Sequence, residues 1–311
     1  MITPEVSICC ITYNHAKYIR DALDGFLMQK TSFPIEVLIH DDASTDGTAD
    51  IIREYEAKYP DIIKPVYQTE NQYSKGLRMV NMKYNYPRAQ GKYIALCEGD
   101  DFWTDPKKLQ IQYDFMESHP DYSLCMHGRN NLDYFNRRYY PEPFADIPEN
   151  GLECAHQLAR GTFMSFTQTF FLRKKSFDSV AANILRDSQN APMGDIQMIF
   201  HCAHVGNIKY LRCHMATYRR ANGSVTHTSQ GDNHDFLARC EDFTLRMLVN
   251  SGHADWADER KMLMSHQAES SVPQKEKNVF QLLRHFIGKI HFSLFKLKAK
   301  VRFWLYTKKS S

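Results

Sequence analysis

Two groups of acidic residues follow short apolar segments of the chain. Glu98-Gly99-Asp100-Asp101 comes directly after the apolar residues 93–97, and Asp41-Asp42 follows residues 35–40. An apolar segment of that length is typical of a strand buried in a sheet. Carboxylates gathered where such a strand ends are costly unless a cation compensates their charge. Closely spaced oxygen ligands of this kind suit Mg²⁺ or Mn²⁺ holding a diphosphate.

The first 127 residues alternate between segments with strand patterns and segments with helical periodicity. The predicted strands are 6–12, 35–40, 63–67, 93–97 and 122–127, and the predicted helices are about 16–29, 46–59, 75–89 and 107–118. This alternation argues for a parallel sheet flanked by helices. Because ligands bind at the carboxyl ends of such strands, we expect the two acidic groups to share one crevice.

The pattern changes after residue 127. Residues 130–160 are rich in Asn, Pro, Tyr and Glu, and we predict a long loop or partly ordered segment there. Beyond it we predict a strand at 162–172, a helix at 176–185, a helix at 195–204, a strand pair at 208–218, and helices at 234–250 and 253–269.

Composition excludes several classes of protein. The 311 residues suffice for one large domain with appendages, and the net charge of +3 gives no reason to expect a nucleic-acid partner. The eight cysteines are scattered without a C-x-x-C pair. That usage favours reduced, buried thiols in a cytoplasmic protein over a disulfide or zinc framework. We find no signal peptide, and no apolar run is long enough to span a bilayer.

Three ordered motifs resemble the nucleotide-sugar domain of family 2 glycosyltransferases. They are VSICCITYN at 6–14, DDASTDGT at 41–48 and EGDDFW at 98–103. The resemblance is strong over the first 127 residues and weaker to about residue 228. It implies the α/β GT-A fold, a Rossmann-like, mostly parallel central sheet flanked by helices, here with a C-terminal helical extension. A dinucleotide-binding enzyme is disfavoured because Thr12-Tyr13-Asn14-His15 replaces a glycine-rich turn after the first strand.

This resemblance implies a division of the chain. Residues 1–230 would form the GT-A catalytic domain, with 1–127 as the nucleotide-sugar-binding half and 128–230 as the acceptor half. Residues 231–272 would form the helical extension and residues 273–311 a basic amphipathic tail.

Residues at the ends of the first two strands are candidates for nucleotide-sugar binding. The candidates are Thr12, Tyr13, Asn14, Asp41 and Asp42. In similar enzymes the second acid of the pair accepts hydrogen bonds from the nucleotide base, which implies that role for Asp42. The first-strand residues would line the base and ribose pocket. The alternative is a turn and helix cap, which explains Ser44 and Asp46 but not the two acids before them.

Glu98-Gly99-Asp100 occupies the place of the family's Asp-x-Asp metal motif, with Glu as its first acid. The resemblance implies that Asp100 ligates Mg²⁺ or Mn²⁺ with Asp101 in support, whereas Glu98 reaches the ribose or a metal-bound water. Gly99 lets the backbone turn and approach the ligand closely. The ion would neutralise charge as the diphosphate leaves. A solvated loop is the alternative, and it explains one acid better than three.

Inverting sugar transfer needs a carboxylate that takes the proton of the acceptor hydroxyl. Asp195 precedes an apolar helix, and similar enzymes carry their base at the start of such a helix. We therefore predict Asp195 as the base, while a helix cap remains its alternative role.

Basic residues in two further segments are candidates for contact with the donor. Arg78 lies where similar enzymes contact the base or phosphate, and it is equally compatible with a solvated helix surface. Residues 218–227 resemble the family's late loop over the diphosphate. There Arg219 is a nucleotide-sugar candidate and His227 a metal candidate, and Arg220 is a further possibility for the same contacts.

The tail combines aromatic and aliphatic residues with nine Lys or Arg from residue 277 onward and no acid. Residues 278–306 are therefore predicted to lie as a basic amphipathic helix on a membrane surface, at the inner face of the cell membrane. Packing on protein is the alternative.

Together these features predict an inverting, metal-dependent glycosyltransferase of bacterial-type surface polysaccharide synthesis. Its donor would be a nucleoside diphosphate sugar, with UDP favoured, and its acceptor a hydroxyl of a glycan or lipid-linked oligosaccharide. The alternative function is a non-catalytic glycan- or membrane-binding module on a decayed transferase scaffold.

Overall fold

The computed structural model describes residues 3–163, 166–187, 194–220 and 233–270. Residues 1–260 form one compact unit and residues 261–311 another. Within the second unit the description covers residues 261–270, the end of the last helix. The predicted amphipathic tail lies outside the described residues, so its membrane contact stays a prediction.

The described elements follow one another as strands and helices of ordinary length. In chain order they are β1 Val6–Thr12, α1 Ile19–Leu27, β2 Ile35–Asp41, α2 Thr48–Lys58, β3 Ile63–Tyr67, α3 Val80–Tyr84, β4 Tyr93–Leu96, β5 Phe102–Trp103, α4 Lys108–Ser118, β6 Tyr122–Asp133, β7 Arg138–Pro141, α5 Gly151–Arg160, β8 Phe171–Arg173, α6 Lys174–Asp187, α7 Asp195–Ala203, β9 Asn207–Arg220, α8 Asn233–Asn250 and α9 Ala254–Ser270.

The half of the sheet that holds both acidic motifs is parallel, as predicted. β1 pairs with β2 on one side and with β4 on the other, and β3 extends the sheet beyond β2. Along β1 the side chains alternate between two buried clusters, with Cys9 in one and Ile8 and Cys10 in the other. This period of two is the signal that the apolar segments carried.

The other half of the sheet is mixed. β8 joins β4 antiparallel, β6 joins β8 antiparallel, and β9 runs parallel to β6 and antiparallel to β5. The strand order is β3-β2-β1-β4-β8-β6-β9-β5, with β7 paired to β6. Because β2 and β4 lie on opposite sides of β1, the strand order changes direction at β1, and the carboxyl end of such a position is where ligands bind in sheets of this kind.

The predicted loop at 130–160 was wrong. β6 continues to Asp133, β7 returns beside it, and α5 follows. The end of β6 buries polar side chains that find partners: Asn131 donates to Glu142 (2.5 Å), and Asp133 pairs with Arg220 (3.3 Å). Such a strand has no hydrophobic alternation to reveal it.

A start signal for α5 was nevertheless present in the sequence. Asn150 caps the helix by accepting from the Glu153 N–H (3.0 Å). An Asn followed three residues later by Glu is a recognised helix start.

Three other predicted elements were also corrected. Among the described residues of the strand predicted at 162–172, the strand is reduced to Phe171–Arg173, preceded by a 3₁₀ turn at Thr167–Thr169. The helix predicted at 75–89 is reduced to α3 and a 3₁₀ turn at Tyr86–Arg88, which contains a proline. Proline has no N–H to continue a helix. The strand pair predicted at 208–218 is the single strand β9, interrupted by register shifts against β6.

All eight cysteines lie in the described ranges as free thiols, and only Cys213 among them is partly exposed. Within the same ranges, no helix combines the length and the apolar character that crossing a bilayer requires.

Candidate active site

The carboxyl ends of β1 and β2 are joined by hydrogen bonds between the first two motifs. Thr12 is in register with Asp41, and the Asp42 N–H donates to the Thr12 carbonyl (2.9 Å). Further along, the Asp46 carboxylate accepts from the Ala16 N–H (3.0 Å). The residues of the second motif therefore hold the loop that follows β1.

Asn14 shapes that loop through its backbone conformation and its hydrogen bonds. Its φ is +55°, in the left-handed region that Asn tolerates better than most residues. Its side-chain oxygen accepts from the Thr45 N–H and its own N–H donates to the Ser44 hydroxyl, both at 2.8 Å. The Ser44 hydroxyl in turn donates to Asp41 (2.5 Å). Asn14 and Asp41 thus shape the loop, and neighbouring Tyr13 stays 44% exposed and accessible to a ligand.

Asp42 holds a second loop. Its two carboxylate oxygens accept from the backbone N–H groups of Gln72 (2.8 Å) and Tyr73 (3.0 Å). Arg78, in the same loop, donates to the Tyr73 carbonyl (3.0 Å), and its guanidinium carbon lies 4.2 Å from the centre of the Tyr73 ring. The loop-anchoring role was not predicted from the sequence. Contact of Asp42 and Arg78 with the nucleotide stays a prediction.

Gly99 brings the end of β4 against the end of β1. Its N–H donates to the Ile11 carbonyl (2.9 Å). A Cβ at this position would lie 2.7 Å from Oγ1 of Thr12 and 2.9 Å from Cδ1 of Ile19. Only glycine allows this approach without displacing neighbours. Thr12 therefore touches both motifs, with Asp41-Asp42 on one side and the Glu98–Asp101 acids on the other.

The acids after β4 are held by Arg219. Asp101 is buried and accepts from the Arg219 N–H (2.9 Å), and the guanidinium of Arg219 donates to the Asp100 backbone carbonyl (2.9 Å) and to the Asp21 carboxylate. His15 Nε2 lies 3.9 Å from Oδ2 of Asp100. β9, which is distant in sequence, thus positions the acidic motif.

The acids are crowded enough to disfavour full ionisation. Burial, followed by the negative charge of Asp100, raises the pKa of Glu98 to about 7, against the lowering effect of a hydrogen bond from Thr167. Burial and the charges of Asp100 and Glu98 raise the pKa of Asp101 well above its usual range. A cation bound beside these carboxyls would relieve their repulsion.

Asp195 lies at the first position of α7, close to the acidic cluster. Its Oδ1 accepts from the Ile196 N–H (3.0 Å), so it also satisfies one N–H at the helix start. Burial raises its pKa to about 6, against the lowering effects of backbone N–H groups and the positive charge of Arg129. The negative charge of Asp195 in turn raises the pKa of Glu98, so the two carboxyls interact electrostatically.

The acids fit a divalent ion that arrives with its ligand. In the part of the chain that the structure describes, no three His, Cys, Asp or Glu side chains are grouped so that they alone could hold a metal ion. Mg²⁺ is commonly held by one or two carboxylates together with substrate phosphates and water. Asp100 and its acidic neighbours suit that arrangement. His227, predicted as a further ligand, lies outside the described residues.

Arg129 is a site residue that the sequence reading missed. It is only 7% exposed, and its guanidinium carbon lies 3.0 Å from the centre of the Phe166 ring and 4.2 Å from that of Tyr218. Its charge acts on both Asp101 and Asp195. The available signal was a lone arginine directly after an apolar strand segment.

Comparison with known proteins identifies the family of the chain. The family model "Glycosyl transferase family 2" matches residues 7–181. An uncharacterised protein of Mycobacterium tuberculosis, Rv1520, is 37% identical over 238 residues, which cover 74% of this chain and 63% of that protein. The chain thus spans less than two thirds of the length of this relative.

Two solved structures share the fold at low identity. Staphylococcus aureus TarS 1–349 in complex with UDP-GlcNAc is 16% identical, with a TM-score of 0.61 over 88% of this chain and 77% of that chain. The mannosyltransferase PcManGT of Pyrobaculum calidifontis in complex with GDP-Man and Mn²⁺ is 14% identical, with a TM-score of 0.57 over 91% of this chain and 80% of that chain. The mixed sheet flanked by helices is therefore the predicted GT-A fold.

Proposed function

Because the chain belongs to glycosyltransferase family 2, we propose that it is an inverting, metal-dependent transferase. It moves one sugar from a nucleoside diphosphate donor to a hydroxyl of a glycan or lipid-linked oligosaccharide. Surface polysaccharide synthesis is the process in which we place it. The observation that carries the proposal is the joining of β1, β2 and β4 at their carboxyl ends, where Thr12 contacts both acidic motifs.

Asp195 acts as the base. It accepts the proton of the acceptor hydroxyl while that oxygen attacks the anomeric carbon from the face opposite the nucleotide. A pKa of about 6 suits this task, because the carboxyl is mostly ionised at neutral pH and still basic enough to take a proton. The bond from the Ile196 N–H to Oδ1 fixes the carboxylate.

The donor lies across the ends of β1, β2 and β4. Tyr13, after β1, offers an exposed ring for the base or ribose. Asp42, after the neighbouring strand β2, contacts the base. Among the structural neighbours, TarS is described with UDP-GlcNAc and PcManGT with GDP-Man. We favour UDP for this chain.

Asp100, supported by Asp101, would hold Mg²⁺ or Mn²⁺ against the diphosphate. When bound, the ion neutralises charge that develops on the leaving nucleoside diphosphate. The raised pKa of Glu98 and Asp101 supports this assignment, because like charges in close contact favour a bound cation. Arg219 keeps the acids in place through its N–H and guanidinium contacts.

A thermal-shift screen of nucleoside diphosphates with and without Mn²⁺ tests the donor site. We expect one of them to raise the unfolding temperature only when the ion is present, because a ligand that binds the folded state stabilises it. Donor consumption is then followed with Mn²⁺ and no acceptor. Slow release of the nucleoside diphosphate indicates an enzyme, whereas ion-dependent binding with no turnover indicates the non-catalytic module.

A further inference from the structure

The guanidinium of Arg129 has its two faces covered and its edge unused. The Phe166 and Tyr218 rings lie over the guanidinium carbon, at 3.0 Å and 4.2 Å from their centres. Nε and Nη1 find no hydrogen-bond partner within the described residues. An arginine between aromatic rings still presents in-plane N–H groups, which match the geometry of a carboxylate or phosphate.

The ion pair that Arg129 makes with Glu142 is a loose one. Glu142 comes within 3.9 Å of Nη2, but the same Glu142 oxygen already accepts from Asn131 at 2.5 Å. A buried charge without hydrogen-bonded compensation is costly to keep. A ligand that supplies anionic oxygens at this edge would remove that cost.

Arg129 is placed on the acceptor side of the site. It lies on β6 opposite Ala216 of β9, and Tyr218 follows two residues along the same strand. The guanidinium of Arg219 already donates to the Asp21 carboxylate and to the Asp100 carbonyl. We place the diphosphate beside Asp100. The charge of Arg129 acts on Asp195, and we therefore assign a group bound at Arg129 to the acceptor.

We propose that the unpaired edge of Arg129, framed by Phe166 and Tyr218, binds a carboxylate or phosphate of the acceptor. The enzyme would then act on an acidic glycan or a phosphate-bearing polymer and discriminate against a neutral one. This inference rests on the proposed transferase function. It concerns only the charge of the acceptor, and the proposals about the nucleotide and the ion do not depend on it.

Ligand-observed NMR titrations of the full chain test the proposal. The probes are methyl β-glucuronide, glycerol 3-phosphate and the neutral methyl β-glucoside, each with and without UDP and Mn²⁺. We expect one of the two anions to bind at least about tenfold more tightly than the glucoside, as a charged hydrogen-bonded pair should. The tighter anion distinguishes a uronic acid from a phosphate as the source.

Variants connect the preference to the residue. Arg129→Gln should abolish the difference between anion and glucoside, and Arg129→Lys should keep only part of it, because one ammonium cannot replace a planar fork. Arg138→Gln removes the same charge from the exposed part of β7 and should keep the whole preference. If Arg129→Gln does not fold, Arg129→Lys carries the test.

The outcomes separate the two hypotheses. Equal binding of all three probes by the wild type overturns the inference, as does an anion preference that survives in both Arg129 variants. Loss of UDP binding in parallel with anion binding would assign Arg129 to the donor and also overturn it. Failure of every nucleoside diphosphate to bind the wild type refutes the proposed function, whereas an Arg129-dependent anion preference would stand without it.

Discussion

The donor side and the acceptor side of the site differ in how their buried polar groups are hydrogen-bonded. At the ends of β1 and β2, Asp41 and Asp42 are both matched by hydrogen bonds from the protein itself. On the acceptor side, buried polar atoms of Arg129, Gln168 and Gln197 have no partner among the residues described. The two carboxylates of the donor wall are therefore held by the protein's own contacts, although Oγ1 of Thr12 and Nδ1 of His15 beside them also lack a partner among the described residues. The acceptor wall retains an arginine and two amides that a ligand can satisfy.

Because of this difference, substitutions on the two walls should affect folding stability and ligand binding to different extents. A change on the donor wall breaks internal hydrogen bonds, so it should lower both the free energy of unfolding and the affinity for nucleotide. A change on the acceptor wall removes groups that contribute little to folding, so its effect should fall on ligand binding or catalysis.

The largest expected effect comes from Asp195→Asn. The amide cannot accept the acceptor's proton, so kcat should fall by roughly 10²- to 10⁴-fold while donor affinity stays nearly the same. Steady-state kinetics together with nucleotide binding measure the two quantities. Asp114→Asn, on the solvent side of α4, is the matched control and should transfer sugar normally. Wild-type turnover by Asp195→Asn would remove this residue from the role of base.

Asp42→Asn tests the donor wall. The amide can no longer accept from both loop N–H groups, so we expect a loss of about 1–3 kcal/mol in the free energy of unfolding and weaker nucleotide binding. Urea unfolding and isothermal titration are the measurements. Asp50→Asn, which removes an exposed ion pair with Arg53 on α2, should leave nucleotide binding unchanged and lower the free energy of unfolding by less than about 1 kcal/mol. Unchanged stability in Asp42→Asn would contradict the idea that the donor wall is held by its own contacts.

Gln197→Met is the counterpart on the acceptor wall. Gln197 is fully buried in α7, and neither polar atom of its amide has a partner within the described ranges. Replacing it with an apolar residue of similar length should leave the free energy of unfolding unchanged or raise it by up to about 2 kcal/mol. Urea unfolding is the measurement. A loss as large as that of Asp42→Asn would show that both walls contribute equally to folding.

The smallest expected effect is a dependence of stability on pH. In the folded protein the pKa is about 7 for Glu98 and about 6 for Asp195, both above the ordinary values of their carboxyl groups. The unfolded chain releases these protons at lower pH, so their contribution to stability is present in acid and is lost as pH rises through 6 to 7. The buried His40 and His127, whose pKa values burial lowers, act in the opposite sense. We therefore expect the unfolding temperature of the wild type to fall a few degrees more between pH 5.5 and pH 8 than that of Glu98→Gln.

Mn²⁺ provides the second arm of the pH experiment. With a nucleoside diphosphate present, the ion should raise the unfolding temperature more at pH 8 than at pH 5.5, because ionised carboxylates bind it better. Glu117→Gln is a control, since the pKa of Glu117 is lowered by hydrogen bonds from Lys92 and Tyr93. A pH trend of the opposite sign would argue against a crowded acidic cluster.

Prediction from the sequence succeeded where local signals were sufficient. The strands β1, β2 and β4 bury alternate side chains in two clusters, and their apolar patterns indicated them within a few residues. Prediction failed from 130 to 160, because the end of β6 is a polar strand whose side chains pair with β9 and with Glu142. No window of local sequence contains those partners.

The sequence by itself determined which side chains of residues 41–48 and 98–101 are candidates for binding a nucleotide and an ion, because residue types and spacing are local properties. Tertiary structure alone decided that Asp42 anchors the loop at Gln72 and Tyr73, and that Arg219 supports the acids after β4. It also decided that Arg129 lies between Phe166 and Tyr218. These contacts depend on a strand order that places β6 and β9 side by side across more than 70 residues, and local sequence does not encode such pairing.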